Sequence, residues 1–100
     1  MYGLIGRIKA VTGKRDELST ILIQGTSDMP GCLSYVVAND PKDSDALWVT
    51  EVWESEEAHR QSLTLPSVKD AIAKGRPLIA SFDERHVTQP LGGQGLKRQG

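Results

Sequence analysis

The sequence predicts an α+β domain on three observations. Four segments alternate apolar and polar residues with the two-residue period of a strand, and two others space apolar residues three and four apart, as a helix does. Their order is β-α-β-β-α-β. A chain of 100 residues holds a single hydrophobic core, so all six segments belong to one domain.

The first strand runs from Leu4 to Thr12, with Leu4, Ile8 and Ala10 on one face and Arg7 and Lys9 on the other. Gly13 breaks the alternation. From Lys14 to Gln24, Leu18, Ile21 and Leu22 fall at helical spacing, and Gly25 with Thr26-Ser27-Asp28 ends the helix. Cys32 to Ala38 is rich in β-favouring residues, including Tyr35, Val36 and Val37, and stops at Asn39-Asp40-Pro41. The short polar link Asp43-Ser44-Asp45 predicts a hairpin into the third strand, Ala46 to Glu54. That strand sets Leu47, Val49, Glu51 and Trp53 against Trp48, Thr50 and Val52. Ser55 is placed to cap a helix whose first turn carries Glu56 and Glu57, where the helix dipole favours carboxylates. Pro66 divides this helix into a short piece carrying His59 and a second piece from Ser67, because proline removes an internal hydrogen bond yet is tolerated in a first turn. Val68, Ala71 and Ile72 face the core, and Gly75 marks the stop. Ala80 to Thr88 alternates through Phe82, Glu84 and His86 as the fourth strand.

This order is the ferredoxin-like arrangement, an antiparallel sheet with its helices on one face. The second and third strands carry apolar residues on both sides, so the other sheet face needs a cover, and a second copy of the chain is the simplest one. The sequence therefore predicts a homodimer. The domain is expected to span residues 1–88. Gln89 to Gly100 holds four glycines and little to bury, and reads either as a flexible tail or as an arm laid across a partner.

A net charge of -1 with both signs interspersed offers no basic stripe for a phosphate backbone, so neither nucleic acid nor an anionic membrane is an expected partner. Cys32 is the only cysteine, which rules out an internal disulfide or a cysteine metal cage and suits a reducing cytoplasm, the expected location. No stretch approaches the roughly 20 apolar residues of a membrane span, and the N-terminus lacks the apolar run of a signal peptide. His59 and His86, the two histidines, lie on different elements with no further ligand at metal spacing. Gly92-Gly93-Gln94-Gly95 lacks the lysine and the following helix of a phosphate loop, and no Gly-x-Ser-x-Gly elbow occurs. The expectation is a protein without bound metal, flavin or haem.

The stretch richest in chemistry is Trp48-Val49-Thr50-Glu51-Val52-Trp53-Glu54-Ser55-Glu56-Glu57-Ala58-His59-Arg60, a strand ending in Glu-Val-Trp, a capped helix start and a histidine one turn in. It resembles the core motif of the antibiotic biosynthesis monooxygenase family. The resemblance continues through Leu65-Pro66-Ser67-Val68-Lys69 and Arg76-Pro77-Leu78-Ile79, and the opening Gly13-Lys14-Arg15-Asp16-Glu17-Leu18 is similar too, so it covers most of residues 4 to 88. It implies a dimeric α+β barrel. It also implies the activity of the family's small oxygenases, which oxidise phenolic, anthrone or quinol substrates with O2 and use no metal, flavin or nicotinamide. The deprotonated substrate itself passes an electron to oxygen. Such chemistry needs an apolar pocket, an aromatic wall and a base or hydrogen-bond donor.

On that resemblance Trp53 is the wall, and His59 is the base or the group that orients the phenol oxygen, since an imidazole titrates near neutral pH. Glu51 shares the strand face of Trp53 and reaches the same pocket, with Val49, Tyr35 and His86 as further lining. Each has a plainer reading: Trp53 as core packing, His59 as a surface or capping residue, Glu51 as the partner of Arg60 or another cation, His86 as an ordinary strand residue, Tyr35 at a dimer seam. The chain departs from the family's better-understood members at Val49, where those present a side-chain amide. It departs again at Ser62 and Leu63, where many relatives carry a second histidine, which weighs against haem breakdown. The rival expectations are a non-catalytic ligand-binding or stress-responsive dimer and a haem-binding or haem-degrading protein with His59 or His86 on iron.

Overall fold

In the computed structural model, which describes residues 1–96, the first strand, β1 (Tyr2–Ala10), lies at the centre of a four-stranded sheet. It is followed by α1 (Arg15–Gly25), β2 (Cys32–Asn39), β3 (Ala46–Trp53), α2 (Glu56–Ser62), α3 (Pro66–Gly75), a 3-10 turn (Arg76–Leu78) and β4 (Ile79–Thr88). The sheet order is β2-β3-β1-β4 with every neighbouring pair antiparallel. This is the ferredoxin-like topology, with the second helical segment split in two at Pro66. Residues 89–96 form neither helix nor strand, and the rest of the expected tail, residues 97–100, lies outside the described residues.

Three boundaries differ from the sequence reading. β1 begins at Tyr2, which pairs with Trp53, and ends at Ala10, because the Val11 N–H leaves the ladder to donate to the Leu78 carbonyl at 2.8 Å. Gly13 then turns the chain with φ 81°, a left-handed conformation that costs glycine nothing. Gly25 is the last residue of α1 rather than its breaker. A Cβ there would lie 2.4 Å from the Ala71 Cβ, so the missing side chain lets α1 and α3 pack backbone to side chain. α3 does end at Gly75, as expected, although Gly75 keeps right-handed helical angles and the chain tightens directly into the 3-10 turn.

Register assigns the faces. Leu4, Gly6, Ile8 and Ala10 of β1 share the helix-covered face with Leu47, Val49, Glu51 and Trp53 of β3. Leu18, Leu47 and Trp53 are the largest fully buried side chains, and one apolar cluster forms around Leu18 and Leu47, a second around Met29, Trp53 and Val68. Helix packing on one side of the sheet is thus fixed by alternate β3 residues. The ends of α2 follow from local chemistry. Ser55 Oγ accepts from the Ala58 N–H at 3.1 Å, and Pro66 starts α3 where its absent N–H costs nothing.

The opposite face carries Ile5, Arg7, Trp48, Thr50, Glu84 and His86. Its centre is Arg7, whose guanidinium meets Asp40 and Asp43 at 3.1 Å each and also pairs with Asp83. The Trp48 indole donates to the same Asp40 carboxylate at 3.1 Å. Backbone N–H groups of Lys42 and Asp45, more than the cations, hold the Asp40 and Asp43 carboxyls below the ordinary carboxylate range. The Asp40 carboxylate, joined by Asp43 and Asp83, pushes the Arg7 guanidinium up.

β4 alternates differently from the sequence reading. Its pairing with β1 steps from Arg7–Glu84 to Ile8–Phe82, so Asp83 is an extra, bulged residue, and a second step follows between Ser81 and Ile79. Phe82 therefore turns to the helix face while Glu84 and His86 turn to the opposite one.

Candidate functional site

Glu51 and Trp53 end β3 two residues apart, which puts both on the helix face. The Trp53 Nε1–H donates to Glu51 Oε1 at 2.9 Å. His59, one turn into α2, enters from above because the Ser55 cap fixes where that helix starts. Its ring stands edge-on to Trp53, centres 5.4 Å apart and planes at 72°, and leans on Tyr2 at 5.6 Å. His59 Nε2 lies 4.0 Å from Glu51 Oε1, an electrostatic approach too long for a hydrogen bond. Tyr35 faces Glu51 directly across the β2–β3 ladder.

Burial sets the electrostatics. Desolvation raises the Glu51 carboxyl pKa above its ordinary value, while the Trp53 hydrogen bond, His59 and Arg85 oppose the rise. Desolvation also drives the Tyr35 phenol far above the usual tyrosine range, with Glu51 adding to it, so Tyr35 stays protonated and has an O–H to offer rather than a base. Cys32, opposite Trp53, is half-buried and its thiol is pushed up by the same cause, which makes it a poor nucleophile.

Two cavities meet at this group. One, of about 240 Å³, lies over the sheet beside β4 and is lined by Leu4, Gly6, Val49, Phe82 and Arg85 together with Tyr35, Glu51 and His59. The other, about 130 Å³, reaches the same Tyr35, Glu51 and His59 from beneath α1 and α3, past Trp53, Leu22 and Ile72. Both are walled mainly by apolar side chains, the setting in which one or two polar groups orient a ligand. A wider concavity of about 500 Å³ runs between the end of α1 and β2, past Ser27, Cys32 and Ser34. Neither Glu51 nor His59 reaches it, and the convergent polar groups are at the smaller cavities.

Of the residues the sequence singled out, Glu51, Trp53, His59, Tyr35 and Val49 come together. His86 does not. The bulge at Asp83 puts it opposite Ile5 on the other sheet face, where it is exposed and meets Glu84 at 3.2 Å. Of the cations considered for Glu51, Arg60 is not its partner: Arg60 points along its own helix to Glu57 at 3.3 Å, and Glu51 holds the Trp53 indole with His59 at 4.0 Å. Tyr2, Gly6 and Arg85 line the site unforeseen. Tyr2 fell before the apparent start of β1, and Arg85 falls on the helix face through the bulge that simple alternation misses. Among the described residues no three His, Cys, Asp or Glu side chains cluster as a metal site would require, and no helix is long and apolar enough to cross a membrane.

A family model described as Antibiotic biosynthesis monooxygenase matches residues 1–74. A solved structure from Chloroflexus aurantiacus J-10-fl, described under the same family name, is 64% identical, covers 96% of this chain and 98% of its own, and superposes with a TM-score of 0.94. Two more under that name share the fold at low identity. The Nitrosomonas europaea structure is 12% identical over 92% of this chain and 100% of its own (TM-score 0.82), and that from Caulobacter crescentus CB15 is 19% identical over 91% and 90% (TM-score 0.81). No curated protein matches the chain. With the family model spanning most of the sequence and a relative of high identity matched end to end, this chain belongs to the antibiotic biosynthesis monooxygenase family.

Proposed function

We propose that the protein is a homodimeric monooxygenase that oxidises a small phenolic or quinol compound with O2 and draws no electrons from a bound cofactor. The observation that carries this reading is the convergence of Glu51, Trp53 and His59 on the apolar cavity of about 240 Å³. A phenol seated there presents its hydroxyl to His59, which takes the proton. The desolvated Glu51 carboxylate, 4.0 Å away, stabilises the resulting imidazolium. The mainly apolar walls leave the phenolate less well solvated than in water and more readily oxidised. One electron passes to O2, the radical pair combines at a ring carbon that carries hydrogen, and the hydroperoxide so formed loses water. One oxygen atom stays on the ring as a carbonyl. The other leaves as water with two substrate hydrogens, so the substrate supplies all four electrons and no external reductant is needed.

The sheet face opposite the helices supports the dimer, since Val36 there is 51% exposed and Ile5, Trp48 and Val52 are only half-buried. Light scattering coupled to gel filtration is expected to give twice the chain mass at micromolar concentration; a stable monomer overturns that part. For the activity, an oxygen electrode with a panel of single-ring phenols and quinols is expected to record one equivalent of O2 consumed per ring oxidised, with one oxygen atom of that O2 retained in the product. Tight binding of these rings with no O2 consumed identifies a non-catalytic binding protein instead.

A further inference from the structure

Gly6 sits in the middle of the sheet, between Val49 on β3 and Arg85 on β4. Its backbone does not need glycine, since its φ lies outside the left-handed region. Sterics do not need it either. A Cβ built on Gly6 meets only the Glu84 carbonyl oxygen at 3.7 Å, an ordinary contact, whereas at Gly3 the Thr88 hydroxyl lies 2.1 Å from that position. A glycine inside a central strand weakens the strand and marks a place where something else approaches the backbone. Here the space above Gly6 belongs to the cavity of about 240 Å³.

Arg85, paired with Gly6 across the ladder, lines the same cavity. Among the described residues no carboxylate lies within 4.0 Å of its guanidinium, although its charge is felt at Glu51. Arg7, its neighbour on the opposite face, meets three carboxylates. One arginine of this sheet is thus neutralised by the chain and the other is left for something else.

We infer that Gly6 and Arg85 form a subsite for an aromatic acid, the ring lying flat over Gly6 and the substrate carboxylate paired with the Arg85 guanidinium. The inference rests on the cavity being the substrate site proposed above. It fixes orientation. An acid group at the other end would face the desolvated Glu51 carboxylate, a like charge, so the acid goes to Arg85 and the phenolic hydroxyl to His59 and Glu51. A guanidinium suits this role because its planar fork donates two parallel hydrogen bonds to a carboxylate. The size agrees, since about 240 Å³ falls below the roughly 300–1,000 Å³ of sites for drug-sized ligands and fits one ring with small substituents.

The test compares 4-hydroxybenzoate with 4-hydroxybenzamide, which differ in charge and hardly in shape, by calorimetric titration of the full-length protein. Wild type is expected to bind the acid at least tenfold more tightly. Arg85→Gln should abolish that preference while leaving the amide's affinity in place, and Arg85→Lys should restore only part of it. Gly6→Ala should weaken both ligands tenfold or more without lowering the melting temperature, because alanine is the better strand residue and its Cβ has room. Equal affinity of wild type for acid and amide overturns the inference, as does a preference that survives Arg85→Gln, an unaffected Gly6→Ala, or failure of either ring to bind. Binding with this pattern but without O2 consumption leaves the subsite standing and removes the oxygenase reading.

Discussion

Replacing Trp53 by Phe separates two contributions that the structure lodges in one ring. The side chain is 1% exposed, and its Nε1–H is the donor to Glu51 Oε1. Phenylalanine keeps a six-membered ring but leaves the space of the pyrrole portion empty, at a cost of about 1 kcal/mol. It also leaves a largely desolvated carboxylate without its donor, which costs about 1–3 kcal/mol. Together these predict a loss of about 2–4 kcal/mol at pH 7.5. The second contribution depends on pH, with a definite sign. Burial raises the folded-state pKa of Glu51, so its contribution to stability is greatest below the unfolded-state pKa and is lost as pH climbs through the raised value. Removing the indole raises that pKa further, and the variant's deficit must therefore shrink as the solution is acidified and Glu51 takes up a proton. Urea unfolding at fixed protein concentration, run from pH 5 to 8, measures both quantities, and a carbon-13 titration of the Glu51 carboxyl reads the pKa change directly. A deficit under about 1 kcal/mol at pH 7.5, or one that is the same at every pH, refutes the assignment of stabilising energy to this bond.

Three further outcomes are expected. Glu51→Gln keeps an oxygen for the indole and removes a desolvated charge, so it should raise stability at neutral pH by about 1 kcal/mol and flatten the wild-type decline with rising pH; urea midpoints across pH check it, and an unchanged slope counts against a strained carboxylate. His59→Ala should slow O2 consumption by about 10²-fold or more while costing little stability, since the ring is packed only edge-on against Trp53 and against Tyr2; a rate within twofold of wild type removes His59 from the chemistry. Leu18→Ala, at an α1 side chain with no exposed surface, packed between that helix and the sheet, should cost about 3–5 kcal/mol in the same unfolding assay.

The fold could be read from the chain because its signals are local. Alternation in β3, the Ser55 cap and Pro66 each act within a few residues, and each leads to the element found. The pair Glu51 and Trp53 was legible for the same reason, since two residues on one strand share a face whatever lies across from them. What escaped was set by pairing between distant segments. Tyr2 becomes a strand residue only through its partner Trp53, and the exchange of His86 for Arg85 at the site depends on a step in the β1–β4 ladder that no composition or period encodes. That His59 rather than Arg60 approaches Glu51 is decided by rotation about the axis of α2, where His59 faces the sheet and Arg60, one residue on, faces solvent.

The bulge at Asp83 makes the arithmetic of β4 unusual: along the stretch from Phe82 to Thr88 the strand has one more residue than β1 offers partners, and the surplus residue is gripped from the opposite side by Arg7. Deleting Asp83 would therefore leave every other β4 side chain pointing where it now points, whereas deleting Arg85 would carry the residues beyond it across the sheet. A length change that looks equally severe on paper is thus benign at one position and inverting two residues later. Relatives that differ in length along this strand can be expected to have gained or lost the residue at Asp83, with its grip on Arg7, and to keep a side chain of chosen chemistry beside the glycine of β1.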